Sequence, residues 1–279
     1  MPSEGRIIRA LEPDTQIERF TKEYLHVRHA EGRGSESPEY YWSLPFAELD
    51  GQLGWQWRMR AQTFRFFERK ILEPLERSSD RKLNILDLGC GSGWLSYRMA
   101  LRGHSPAAVD LLDDELDGLG AARHYESKLG QMFPVFQAQF DDLPFADSQF
   151  DLVVFNASFH YAADYRATLR EVRRCLSWGG QVVILDTPVY ATWQDGERMV
   201  EERKRSFEQR YGFASDSLIS MEYLDNSMIA ELAKDLNLTW RIHQPWYGAQ
   251  WHMRPIFAKL KGRRPPSKFK VLVGSWVGA

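Results

Sequence analysis

Apolar residues recur at helical spacing over residues 14–30, so that Ile17, Phe20, Tyr24 and Val27 share one face and Asp14 caps the first turn. The polar stretch GRGSESPE (32–39) reads as a loop. YYWSLPF then leads into a second helix over about 55–72, which Pro74 should stop, and ERSSDRK (76–82) reads as a hinge. Beyond the hinge the rhythm changes. LNILDL (83–88), PAAVDLL (106–112), PVFQAQF (134–140), FDLVVFN (150–156) and QVVILD (181–186) are short aliphatic runs that read as buried strands. Helical patterns over 93–103, 114–129 and 163–176 separate them, and further helices are expected over about 197–211 and 226–236. LTWRIH (238–243) and PIFAKLKG (255–262) complete the set as two strands joined by the aromatic loop QPWYGAQWHM. Strands that alternate with helices imply an α/β fold, a doubly wound and mostly parallel seven-stranded sheet. The last two strands, joined directly, must run antiparallel to each other. These changes of pattern divide the chain into an N-terminal helical cap (1–80), a sheet domain (81–262) with a helical insertion at about 190–225, and a C-terminal tail (263–279).

Composition narrows the class without naming it. The 279 residues are 43% hydrophobic and 27% charged, ordinary values for a globular protein. A net charge of −2 argues against a general nucleic-acid binder. No run of 18 apolar residues suggests a transmembrane segment, and the N-terminus lacks the apolar core of a signal peptide, so the cytoplasm is the expected location. Two cysteines cannot make a disulfide framework, which agrees with a reducing compartment. Ten tryptophans are the unusual feature, and they concentrate toward the two flanks of the sheet domain.

The chemistry is suggested by ILDLGCGSGW (85–94). A dinucleotide fingerprint wants G-x-G-x-x-G, but here Gly89, Gly91 and Gly93 are followed by Trp94; a phosphate loop wants a lysine that is not present. The turn still lets a ligand lie against bare backbone, and the helix that follows favours a negative group at its N-terminus. Asp110, ending the second strand, is placed to accept hydrogen bonds from both hydroxyls of a ribose. A nucleoside with a nearby carboxylate and no pyrophosphate points to S-adenosyl-L-methionine.

DLGCGSG (87–93), AVDLL (108–112), DDLPFADSQFDLVV (141–154) and LREVRRCLSWGGQVVILD (169–186) resemble the successive motifs of class I methyltransferases, type 11-like, with their Rossmann-like fold. The resemblance covers about residues 83–190. It implies that Asp87 helps hold the methionine amino group, often through water, that Gly89, Cys90, Gly91 and Gly93 form the cofactor turn, and that Leu111 packs on adenine. Gln139 stands where the family often has an acidic residue for the adenine amino group, with Phe140 presenting its N–H beside it; Asn156, ending the fourth strand, joins this cofactor-binding set. Trp178 replaces a proline common before the paired glycines, far from the ligand in the family. The reaction implied is methyl transfer to an oxygen, nitrogen or carbon nucleophile of a small-molecule or lipid-like acceptor.

Each residue also has a plainer reading. Asp110 could cap the segment after it. Cys90 could be a nucleophile at a helix N-terminus, but small residues are common there and it reads as packing. His160, in NASFHY, is the candidate catalytic base; it could equally pack or cap locally. NASF echoes the N-P-P-Y motif of amino-methylating enzymes without its prolines. His26 and His29 have no evident third ligand, so no metal is expected. Tyr40, Tyr41 and Trp42 are expected to approach the acceptor from a loop. Trp42, Trp55, Trp246 and Trp251 either line an acceptor cavity or pack the cap. The basic segment KLKGRRPPSKFK (259–270) reads as solvated chain, and VLVGSWV as apolar chain that folds back. Expected partners are the small-molecule acceptor and, as candidate assembly, a homodimer. A methyltransferase-like protein that binds cofactor without turnover, or acts as a regulatory subunit, is the alternative function.

Overall fold

A computed structural model describes residues 7–47, 53–214 and 216–276; the outermost parts of the expected cap and tail (1–6 and 277–279, with Val277 of VLVGSWV) lie outside them, as do 48–52 and 215. Strand β1 (Ile8–Arg9) precedes helix α1 (Thr15–Ala30), whose first turn is capped by the Asp14 carboxylate accepting from Gln16 N–H. Helix α2 (Pro38–Ser43) follows, then α3 (Gly54–Phe67). Pro74 does not stop this rod: Glu68–Leu72 widens into π-helical turns and α4 (Glu73–Ser78) continues it. Proline cannot donate to the carbonyl one α-turn back, and a wider turn relieves both that loss and the ring clash.

The core alternates as its aliphatic runs require: β2 (Asn84–Leu88), α5 (Trp94–Leu101), β3 (Ser105–Asp110), β4 (Val135–Gln137), β5 (Phe150–Asn156), α6 (Tyr165–Cys175) and β6 (Leu176–Leu185). Then come β7 (Pro188–Tyr190), α7 (Trp193–Tyr211), β8 (Leu224–Asp225), α8 (Asn226–Leu236), β9 (Leu238–His243), α9 (Ala249–Leu260), β10 (Lys268–Phe269) and β11 (Val271–Trp276). The main sheet has eight strands in the order β1-β4-β3-β2-β5-β6-β11-β9, one more than the seven expected because β1 adds a short edge. All neighbours are parallel except β11, which opposes both β6 and β9. A three-stranded sheet, β10-β7-β8, sits beside the insertion helix α7.

Alternate residues of the buried strands feed two cores. Leu152 and Val154 of β5 join the core under the cap, while Val153 and Phe155 join the one under α6 and α8. The chain proceeds from β2 outward to β4, then returns to β5 on the other side of β2. That reversal opens a crevice at the carboxyl ends of β2 and β5, where open α/β sheets bind ligands.

Four sequence expectations need correction. Residues 38–43 are helical rather than loop, because Pro38 occupies the first helical turn, where a missing N–H costs nothing. The expected helix over 114–129 is a set of turns ending in a 3-10 segment, Leu119–Tyr125; the Asp114 carboxylate accepts from the N–H groups of Leu116 and Asp117 and holds a tight local turn. Residues 255–262 fall in α9, not in a strand. Pro255 lies inside that helix, and the Trp251 carbonyl it leaves free accepts from Arg254 Nε at 3.4 Å. The strand expected there is supplied by β11 instead, so the main sheet extends past residue 262 and the segment 263–276 is neither a tail nor merely solvated. Among the described residues no helix is long and apolar enough to cross a membrane.

Candidate cofactor and acceptor site

The turn after β2 is shaped by its glycines. Gly89 (φ +71°) donates its N–H to Val109 O at 2.8 Å, and a Cβ there would collide with the Ser158 side chain. Gly91 (φ +54°) faces open space and donates its N–H to Asp110 Oδ2 at 2.7 Å; Leu112 N–H donates to Asp110 Oδ1 at 2.9 Å. Two backbone donors leave an ionised carboxylate with lone pairs to spare for vicinal hydroxyls. Burial raises the Asp110 pKa, and the Leu112 and Gly91 N–H groups oppose that rise. The residues therefore fit a ribose.

Asp87 lies beneath the turn rather than in it. It is 1% exposed, its Oδ2 accepts from Ser96 Oγ (2.9 Å) and Ser96 N–H (3.2 Å), and its Oδ1 has no partner. Burial pushes its carboxyl up to about 7. Gly93, in a left-handed conformation, caps α5 against Phe133.

A cavity of about 330 Å³ opens above this turn. Gly89, Cys90, Gly91, Asp110 and Leu111 line its glycine-turn side, joined by Gln139, Phe140 and Asn156 from the neighbouring strands and the residues that follow them. Asp87 and Gly93 do not reach its wall. Burial drives the Cys90 thiol pKa well up, which keeps it protonated and argues against a nucleophile. Of the three aromatic residues expected at the acceptor, Tyr40 lines the cavity and the other two do not. The Tyr41 hydroxyl donates to Leu116 O (2.6 Å) and its ring stacks on His124, while Trp42 Nε1 donates to His124 O (2.7 Å). Both pin the cap to the 3-10 segment. Trp55 and Trp246 are exposed and Trp251 packs in a small separate cluster, so the tryptophans that line the cavity are Trp57 and Trp94.

The rest of the cavity wall holds residues that the sequence did not single out. Arg28 of α1 and Asp117 form an ion pair at the cavity wall, with Arg28 Nη2 2.9 Å from Asp117 Oδ1. Asp186 follows β6 with a left-handed backbone (φ +51°), an uncommon conformation for a non-glycine residue. Its Oδ1 accepts from the Thr63 hydroxyl at 2.6 Å, and the Tyr247 hydroxyl lies 2.7 Å from that same hydroxyl. Asp186 Oδ2 is buried without a partner, and burial pushes the carboxyl up to about 6 against the opposing effects of Thr63 and Arg60. His160 lines the same region with Nδ1 unpartnered; burial, aided by Arg60, lowers its pKa to about 3, so the imidazole is neutral at physiological pH. Asp186 was legible in principle, as a carboxylate at the carboxyl end of a strand. Arg28 and Arg60 were not, because no local pattern tells which face of a cap helix meets the crevice, and Asp117 lies in a turn that the pattern reads as helix.

Residues 86–184 match the family described as a methyltransferase domain. Malonyl-[acyl-carrier protein] O-methyltransferase of Erwinia pyrifoliae is 36% identical over 101 residues, covering 36% of this chain and 36% of that protein. The chloroplastic 2-methyl-6-phytyl-1,4-hydroquinone methyltransferase 2 of Oryza sativa is 34% identical over 122 residues, covering 44% of this chain and 34% of that protein. The chain thus spans little more than a third of the length of these relatives. The crystal structure of the PH0226 protein from Pyrococcus horikoshii aligns with a TM-score of 0.50 at 20% identity, over 86% of this chain and 99% of that one, a likeness of fold. With the turn, the Asp110 acceptor and the switch-point crevice in place, residues 86–184 constitute a methyltransferase domain of class I, the family whose cofactor is S-adenosyl-L-methionine.

Proposed function

We propose that the protein transfers a methyl group from S-adenosylmethionine to a small-molecule or lipid-like acceptor. One observation carries the reading: the Gly89–Gly91 turn with Asp110 and the unsatisfied polar groups of Asp186 and His160 line the same cavity. Bound there, the cofactor supplies an already activated methyl group, so the protein has chiefly to align the acceptor and keep water out. In this reading Asp110 takes the ribose, Gly89, Cys90 and Gly91 lie along the methionyl and ribose portions, and Leu111, Gln139 and Phe140 hold adenine. Asn156 closes the strand-end side, and Asp87 acts from below through Ser96 and the turn. His160, neutral, serves as a hydrogen-bond acceptor for the incoming nucleophile and is too weak a base to hold a proton for long. The walls Phe20, Tyr24, Trp57 and Phe269 suit an apolar or aromatic acceptor body. The two named relatives act, by their names, on a malonyl-carrier protein and on a phytyl hydroquinone, which supports methylation without choosing the acceptor. A reducing, cytoplasmic setting is part of the reading and is supported by Cys90 and Cys175, both free and buried; a homodimer stays the candidate assembly, to be read by sedimentation.

Calorimetry with S-adenosylhomocysteine tests the reading. Micromolar affinity is expected; no binding by the folded protein overturns it.

A further inference from the structure

Among the described residues three arginines line the cavity, and two of them are committed. Arg28 pairs with Asp117, and Arg33 with Glu31 (2.7 Å) and Gln56 (2.8 Å). Arg60 is different. Among the described residues it makes no ion pair and no hydrogen bond; its guanidinium lies 5.1 Å from the Trp57 ring centroid. A guanidinium carries five N–H donors, and leaving them unmatched in a partly enclosed site is costly. Burial, then the nearby charges of Arg33 and Arg28, hold its pKa below the usual arginine value, and Asp186 opposes them. Arg60 and Asp186 therefore sense each other across the cavity yet do not close into an ion pair, and Asp186 Oδ2 is unpartnered as well.

We propose that the acceptor is a small organic acid, whose anionic group pairs with Arg60 and whose N–H or O–H group donates to Asp186. This rests on the methyl-transfer reading above and adds the substrate class to it. The gap between an unpaired cation and a half-satisfied carboxylate is the complement of a molecule that carries an anion and a donor together. The cofactor's own methionyl carboxylate is the competing source of an anion. Arg60, over a Trp57 ring that itself meets Trp94 at the start of α5, lies within reach of the glycine-turn half of the cavity. Asp186 argues for the acceptor, because it follows β6, two strands across from β2 and so roughly 10 Å to the side of the glycine turn at about 4.8 Å per strand. A carboxylate beside that turn has the N-terminus of α5 to receive it.

The test uses three probes of similar shape, 3-phenyllactate, 3-phenyllactamide and 3-phenylpropionate, titrated into the protein with and without saturating S-adenosylhomocysteine. Phenyllactate should bind at least tenfold more tightly than its amide and several-fold more tightly than phenylpropionate. Arg60→Gln should abolish the preference for acid over amide, Arg60→Lys should keep part of it, and Asp186→Asn should abolish the preference for the hydroxyl. All three variants should hold S-adenosylhomocysteine within about twofold of the parent, which also shows that they are folded. Acid and amide binding alike, or neither binding, overturns the proposal. So does a tenfold loss of S-adenosylhomocysteine affinity in Arg60→Gln, which would assign Arg60 to the methionyl carboxylate. Failure of the parent protein to bind S-adenosylhomocysteine, with the acid preference intact, would instead overturn the methyl-transfer reading alone.

Discussion

Gly91 and Asp110, nineteen residues apart, are joined by a 2.7 Å hydrogen bond from the glycine N–H to the aspartate Oδ2. The bond ties the tip of the cofactor turn to the end of β3, so one carboxylate both shapes the turn and offers its remaining lone pairs to the cavity. Asp110→Asn places an amide where two N–H groups already point. S-Adenosylhomocysteine affinity should fall at least tenfold, about 1.4 kcal/mol, by calorimetry. Unchanged affinity in the folded variant would remove Asp110 from the ribose site.

Gly89 should be less replaceable than its conformation alone suggests. Gly89→Ala sets a Cβ against Ser158 at a left-handed backbone position, whereas Gly103, also left-handed (φ +87°), has nothing near its Cβ. Chemical denaturation should show a loss of about 3 kcal/mol or more for Gly89→Ala and about 1 kcal/mol for Gly103→Ala. Equal losses would mean that backbone conformation, not the close approach of Ser158, selects glycine at 89.

The buried Asp87 should leave a signature in the pH dependence of stability. Its folded carboxyl titrates near 7, well above the ordinary 3.8. Below about pH 4 both states are protonated and the contribution is fully present. Between about 4 and 7 the unfolded chain releases its proton while the folded chain keeps it, so stability falls, and above 7 the loss is complete. From pH 5 to pH 8 the parent should lose about 2–3 kcal/mol relative to Asp87→Asn. Parallel denaturation curves for the two proteins would show that Asp87 ionises normally in the fold.

The cap divides into a part that closes the site and a part that belongs to the core. Removing residues 1–34 takes away Tyr24, Arg28 and the ion pair to Asp117 but spares α2. Removing 1–50 also deletes the buried Tyr40, Tyr41 and Leu44, and strips Arg98 of the Leu44 and Trp42 carbonyls it donates to at 2.7 Å each. The shorter truncation should remain folded and bind S-adenosylhomocysteine more weakly; the longer should be less stable by about 5 kcal/mol or more. Denaturation of the two truncated chains decides this, and a longer truncation as stable as the shorter would detach α2 from the core.

How much of this was legible depended on how local each signal is. The strands β2, β3, β5 and β6 announced themselves as aliphatic runs bounded by turns, and the Gly89–Gly91 turn with Asp110 could be read because fold and ligand impose a fixed spacing over about twenty residues. The end of the chain misled for equally physical reasons. Residues 255–262 open on the short apolar run PIFA, which periodicity alone does not assign to strand or helix, and Pro255 argues against a helix that Arg254 in fact helps to complete. VLVGSW is six residues long, and nothing in so short a run distinguishes a central strand from an apolar tail. Tyr41 and Trp42 carried the right chemistry for an acceptor site but spend it on the carbonyls of Leu116 and His124. The cavity wall formed by the cap depends on the rotation of α1 and α3 about their axes, which packing at a distance decides.

The place of β11 has a consequence for how the molecule is made. It is synthesised after all the other described strands, yet it sits inside the sheet, between β6 and β9. Until residues 271–276 emerge, β6 presents an open edge and β9 has no partner in the main sheet, so unpaired strand edges on both coexist in the nascent chain. Folding during synthesis can finish the glycine-turn half of the crevice first, while the half beyond β6 waits for β11 to enter its slot. A ribosome stalled or a chain cut within 271–276 would therefore release not a trimmed protein but one split open beside β6, with its stickiest surfaces outward.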